Sequence, residues 1–180
     1  VRFFIIKPTL FLCALLTLLT ACSPRFDWRD VHDGVSPCTI LLPGKPAKLS
    51  REIRIGQQTV TMYMTATQID SIKFALGAAK MTDATQAQAS LAIIKNALLQ
   101  NISGQLSQDK TSVTNGGGIV TFNDEFEAAG TKPATRMLGR LVAHDVWVYQ
   151  LLVVGPGDAL ELAANREAAE TFLNSFKPVT

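Results

Sequence analysis

The first 21 residues limit how much of the chain is left to fold. Arg2 and Lys7 form a positive end, residues 9–20 an apolar run, and Ala21 a small residue after it. These are the three parts of a cleaved secretory segment. The run is 12 residues long, against the roughly 20 that a helix needs to span a bilayer. Lys7-Pro8 separates it from the apolar residues 3–6, so it reads as an export signal rather than a permanent membrane helix. Removing 21 of the 180 residues leaves 159, enough for one domain with a sizeable core.

The apolar run ends in Leu19-Thr20-Ala21-Cys22. This tetrapeptide resembles the lipobox of bacterial lipoproteins. The resemblance implies a diacylglyceryl group on the Cys22 thiol, cleavage just before Cys22, and acylation of the new amine, with palmitate among the expected chains. One chain holds a protein to a membrane only marginally, at about 0.8 kcal/mol per buried CH₂, whereas two or more anchor it stably. Ser23 stands where an Asp would resemble the inner-membrane retention signal, so the expected location is the outer membrane, facing the periplasm.

Charge and cysteine count narrow the partners and the stabilising chemistry. Without Arg2 and Lys7, the 17 basic residues fall to 15, against 15 acidic ones. A neutral balance gives no reason to expect nucleic acid as a partner. The chain has 3 cysteines; Cys13 is in the signal and Cys22 at the lipid site, which leaves Cys38 without a partner for an internal disulfide. Stability then has to come from packing. Cys38, inside the apolar stretch 38–42, is expected to be a buried thiol.

The expected organisation is a signal peptide at 1–21, the lipidated Cys22 and a linker over 22–37, and a single globular domain over 38–180. Phe26 and Trp28 are too apolar for a free tether and are expected to dock on that domain. Residues 38–42 read as a short strand stopped by Pro43-Gly44-Lys45-Pro46. Alternation places Leu49, Ile53 and Ile55 on one side of a strand over 48–55 and Val60, Met62 and Met64 on one side of another over 59–65. Ile72, Phe74 and Leu76 share a side over 71–79. These segments predict an antiparallel meander with one buried face. Over 84–102, Ala87, Leu91, Ile94, Leu98 and Ile102 recur at helical spacing behind a cap at Thr82 or Asp83. Residues 105–123 are polar and carry Gly116-Gly117-Gly118, which predicts a mobile loop. Strands are expected at 126–129, 136–144 and 146–154, then a last helix over 159–176. That helix would open on an Asp158/Glu161 capping box and show Leu162, Ala169, Phe172 and Phe176 along one side.

This order, with Leu42-Pro43-Gly44-Lys45-Pro46 early, Tyr149-Gln150-Leu151-Leu152-Val153-Val154-Gly155 late, and Phe172-Leu173-Asn174-Ser175-Phe176 after it, resembles the PsbP-like sandwich over 36–177. The resemblance implies an α+β fold, a mainly antiparallel sheet flanked by two main helices. It also implies an assembly or accessory role without a shared catalytic constellation, and it transfers no functional residue.

Side chains that carry chemistry are few. Met62 and Met64 put two thioethers on one strand face, the soft ligands that suit Cu(I), although Met is also a core filler. The 2 histidines each precede an Asp, in His32-Asp33 and His144-Asp145, short of the three or four ligands a zinc site needs. Arg136, Arg140 and His144 fall on one face of a strand; such a row is ordinarily a solvated face or half of a salt-bridge set, and among the polar clusters it is also the candidate ligand or partner surface. The glycine run lacks a following Lys-Ser/Thr and is no phosphate loop, and Gly-x-Ser-x-Gly and His-Glu-x-x-His are absent. The expectation is a non-enzymatic, cofactor-free, membrane-anchored lipoprotein that binds an envelope protein partner. A carrier or sensor of a small ligand or metal is the alternative.

Overall fold

The computed structural model describes residues 24–32, 34–131 and 133–179, so Leu19-Thr20-Ala21-Cys22 and Asp33 lie outside the described residues. Ten strands are described. They are β1 (Arg29–His32), β2 (Cys38–Leu42), β3 (Ala47–Ile55), β4 (Gln58–Ile69), β5 (Ile72–Lys80), β6 (Gly104–Gly116), β7 (Ile119–Thr131), β8 (Ala134–His144), β9 (Trp147–Pro156) and β10 (Lys177–Pro178). Helix α1 (Ala84–Asn101) follows β5, and α2 (Gly157–Glu161) and α3 (Ala163–Ser175) follow β9. Seven strands form one sheet in the order β3-β4-β5-β9-β8-β7-β6, antiparallel throughout. A small sheet, β1-β2-β10, lies beside it.

Period-two alternation sends side chains to both faces of the large sheet, and each face has its own core. Ile72, Phe74, Leu76, Tyr149, Leu151 and Val153 meet β2 and α3, with Phe74 and Phe172 packed edge to face at 5.7 Å. On the other face Met62, Ala79, Leu141 and Val148 meet the apolar stripe of α1. The central strands β5 and β9 are therefore buried on both sides: the nearly continuous apolar run of β9 fits that place, whereas for β5 the alternation predicts one buried face. Their second faces carry the small or apolar residues Gly77, Ala79 and Val148, which fit beneath α1.

Helix α1 keeps the predicted stripe, with Ala87, Leu91, Ile94 and Leu98 buried, and Asp83 caps it by accepting from Gln86 N–H at 2.8 Å. Phe26 and Trp28 pack on the core as expected. The stretch read as a linker also contributes a strand, because β1 pairs in register with β2 from Arg29↔Leu42 to His32↔Thr39.

Three other expectations change. The glycine run is a hairpin turn rather than a mobile loop: Gly117 (φ 62°) and Gly118 (φ 81°) are its two central residues, flanked by the Gly116↔Ile119 pair. Positive φ at both positions is what a two-residue hairpin of this hand requires. The polar stretch before the turn is edge strand β6, where backbone pairing with β7 replaces apolar alternation as the organising force. The capping box does not form, since Pro156 precedes α2 and Asp158 accepts only from the N–H of Ala159. The last helix is broken at Leu162 (ψ 128°), and Asn165 Nδ2 donates across the break to the Ala159 carbonyl at 2.6 Å. The break turns Leu162 to solvent and buries Leu160 in its place.

Candidate functional site

On strand β8, Arg136, Arg140 and His144 alternate with Leu138 and Val142, so all five face α3 and the small sheet. The strand thus brings the three polar residues to one face, but each is engaged within the molecule. Arg136 Nη1 donates to Glu127 Oε1 at 2.5 Å and Nη2 to Glu161 at 3.1 Å. Arg140 donates to Asn123 Oδ1 at 2.9 Å and to the Leu173 carbonyl at 3.0 Å, with its guanidinium 5.9 Å from the Phe176 ring centroid. His144 is 8% exposed and shares a 2.7 Å hydrogen bond through Nδ1 with Thr121 Oγ1, while its buried Nε2 has no hydrogen-bond partner among the described residues.

Arg166, from α3, completes the cluster by donating to Glu127 Oε2 at 2.8 Å. The Arg166 guanidinium, then Arg136, hold the Glu127 carboxyl below its ordinary range, against burial that pushes it up. Hydrogen bonding to Glu127 raises Arg166 in turn, and burial lowers Arg140, offset in part by Glu125. The cluster fastens α3 to β7 and β8. A cleft of about 340 Å³ opens beside it, with Arg140, Lys110, Gln108, Glu125, Glu170 and Asn174 in its walls. Its charges are of both signs, which suits a polar or zwitterionic group better than a simple anion.

A second ionic cluster lies on the α1 face. Lys95 bridges Asp109 at 3.0 Å and Asp124 at 2.8 Å. Burial draws its ammonium down, yet the hydrogen bonds and charges of Asp124 and Asp109 together raise it above the ordinary value. Sequence reading offered Arg136 and Arg140 as half of a salt-bridge set but missed their partners Glu127 and Arg166 and the whole Lys95 cluster, because these members come from strands and helices far apart in the chain. For the second cluster the one usable signal was Lys95 lying off the apolar stripe of α1.

The other candidates are placed as follows. Met62 is buried against the α1 face and Met64 is partly buried beside it, both lining a groove of about 200 Å³ between α1 and β3–β4. His32 is exposed on β1, with Nε2 3.8 Å from Asp30. Among the described residues, no group of three or more His, Cys, Asp or Glu could hold a metal ion, and no helix is long and apolar enough to cross a membrane. Cys38 is buried.

These layers and this strand order define a PsbP-like α+β sandwich. The solution structure of cyanobacterial PsbP (CyanoP) from Synechocystis sp. PCC 6803 is similar to this chain, with a TM-score of 0.54 over 88% of this chain and 95% of that one. The identity is 9%, so the likeness is one of fold. No family model matches the sequence, and no curated protein matches it.

Proposed function

We propose that this protein is a non-enzymatic envelope lipoprotein, anchored in the outer membrane through lipid on Cys22, facing the periplasm, and serving a structural or assembly role by binding protein partners. The observation that carries the reading is Leu19-Thr20-Ala21-Cys22 at the end of a 12-residue apolar run. The docking of the chain just beyond it supports a short tether. Arg25 bridges Asp70 at 2.8 Å, and Phe26 and Trp28 pack on the core. Three residues extend about 10 Å at most, so on this reading the β4–β5 turn stands close to the lipid surface. Palmitate incorporated by the wild-type chain and lost in Cys22→Ser is the expected result, and label that survives the substitution refutes the anchor.

A carrier of a small ligand is the second reading, favoured by the mixed-charge cleft beside Arg140. Native mass spectrometry of the protein released from detergent separates the two. A stoichiometric adduct that Arg140→Ala removes supports the carrier, and a bare chain that cross-links to envelope proteins supports the partner-binding role.

A further inference from the structure

Among the described residues the large sheet has two free edges, and they differ in what lies beside them. At β6, Gln108, Thr111, Ser112 and Thr114 are exposed, the exposed apolar residues Leu106 and Val113 stand apart on either side of the register slip between Leu106 and Gln108, and Asp109 is already held by Lys95. A chain docking there would find hydrogen-bonding groups but no continuous apolar anchor. At β3, the residues facing α1 are Leu49, Arg51, Ile53 and Ile55, paired with Met64, Met62, Val60 and Gln58. Leu49 is 57% exposed and Ile93, from the outer side of α1, is 44% exposed. A Cβ on Gly56, in the β3–β4 turn, would lie 3.2 Å from the Ile93 side chain. Ile93 therefore hangs over one end of the β3 edge while Leu49 marks the other.

Between them opens the groove of about 200 Å³, walled by Ile53, Met62, Met64 and Leu98. Its polar lining is unusual for such walls. Gln150 lies in the middle of the otherwise apolar strand β9, and a Cβ on Gly77 opposite would come within 2.7 Å of its Cγ. Gly77 is thus the notch that seats this amide, which forms no hydrogen bond to another described residue and lines the groove. Apolar walls with a few converging polar groups are the usual make-up of a binding site. Arg51 and Arg54 line the same groove and form no ion pair among the described residues. With Lys48 and against Glu52, they make this edge cationic.

We propose that the β3 edge and the groove under α1 dock an extended, acidic segment of a partner polypeptide. The segment pairs its backbone with β3, sets alternate apolar side chains against Leu49, Ile53 and Ile93, and meets Arg51 and Arg54 with carboxylates. Main-chain pairing supplies affinity in this mode and the alternate side chains supply specificity. Met62 and Met64 lend the groove the adaptability of unbranched thioethers. The inference rests on the partner-binding reading and names its surface.

The test uses the lipidated protein in detergent and a phage library of random twelve-residue peptides. Enriched peptides are expected to alternate apolar with acidic residues and to slow amide exchange along β3, not along β6. Arg51→Glu with Arg54→Glu should weaken them about tenfold or more, and Lys at both positions should retain them. Leu49 is half exposed, so Leu49→Glu should leave the circular dichroism spectrum unchanged while binding falls. No enrichment, peptides without acidic bias, or protection that maps to β6 or to the cleft beside Arg140 overturns the proposal; the arginines would then only guard a sheet edge from aggregation. Envelope proteins that still cross-link to the Leu49→Glu variant as well as to wild type would leave the partner-binding reading standing and refute this surface alone.

Discussion

Replacing Glu127 by Gln tests whether the arginine cluster is chiefly structural. The carboxylate is 5% exposed and takes Arg136 at 2.5 Å on one oxygen and Arg166 at 2.8 Å on the other. Removing one partner of a buried ion pair costs about 3–5 kcal/mol. Here both guanidiniums keep some access to water, at 28% and 35% exposure. The expected loss for Glu127→Gln is therefore lower, about 2–3 kcal/mol. For a domain of this size that is a fall in Tm of about 5–10 °C. The pH dependence gives a second, independent readout. Because the folded carboxyl titrates below its ordinary 4.5, its contribution is complete above that pH and is lost as pH falls through the lowered folded value. The stability gap between wild type and Glu127→Gln, measured by urea titration, should thus be constant near neutrality and narrow as the solution is acidified below 4.5. An unchanged Tm, or a gap that stays constant to about pH 3, would refute the assignment of Glu127 as the anionic centre of the cluster.

Two further substitutions probe the sheet and its first helix. A Cβ at Gly139 would lie 2.3 Å from the Phe126 ring, so Gly139→Ala should destabilise by about 1–3 kcal/mol, and adding Phe126→Leu should recover part of that in thermal melts. Asp83→Ala removes the acceptor for Gln86 N–H at the start of α1 and should cost about 1 kcal/mol in urea unfolding.

The fold was readable wherever one period ran without interruption. The α1 stripe, its Asp83 cap and the strands β2, β3, β5, β8 and β9 all stand within a few residues of where spacing put them. What escaped was structure set by groups distant in the chain. Edge strand β6 is exposed along its length and owes its conformation to β7, so no alternation marks it. The break at Leu162 is held by Asn165 reaching back to Ala159, an interaction that a continuous-helix reading does not consider; one missed turn exchanged Leu162 for Leu160 in the core. Spacing did place Arg136, Arg140 and His144 on a common face, but it could not tell a solvent-facing row from one covered by α3. That depended on Glu127, Arg166 and Leu173, which no local pattern links to β8.

The proposed tether and the proposed docking edge can act together because of where they lie along the strands. Arg25 meets Asp70 in the β4–β5 turn, and Phe26 and Trp28 pack on the α3 side of the large sheet. The β3 edge starts at Ala47, opposite Ala66 and only four residues from Asp70, and runs to Ile55 beside the β3–β4 turn. Nine residues of strand cover about 30 Å, so the edge begins near the proposed lipid surface and leads away from it. Its apolar residues open on the α1 side, away from the docked leader. A partner segment could then pair along β3 without displacing Phe26 or Trp28. A partner bound at the Arg140 cleft, on the α3 side, would instead share its face with the leader. Loosening the leader with Arg25→Ala, which removes its bridge to Asp70, distinguishes these arrangements: peptide binding at β3 should be unaffected, whereas binding of a partner seated on the α3 side should change with the leader that shares its face.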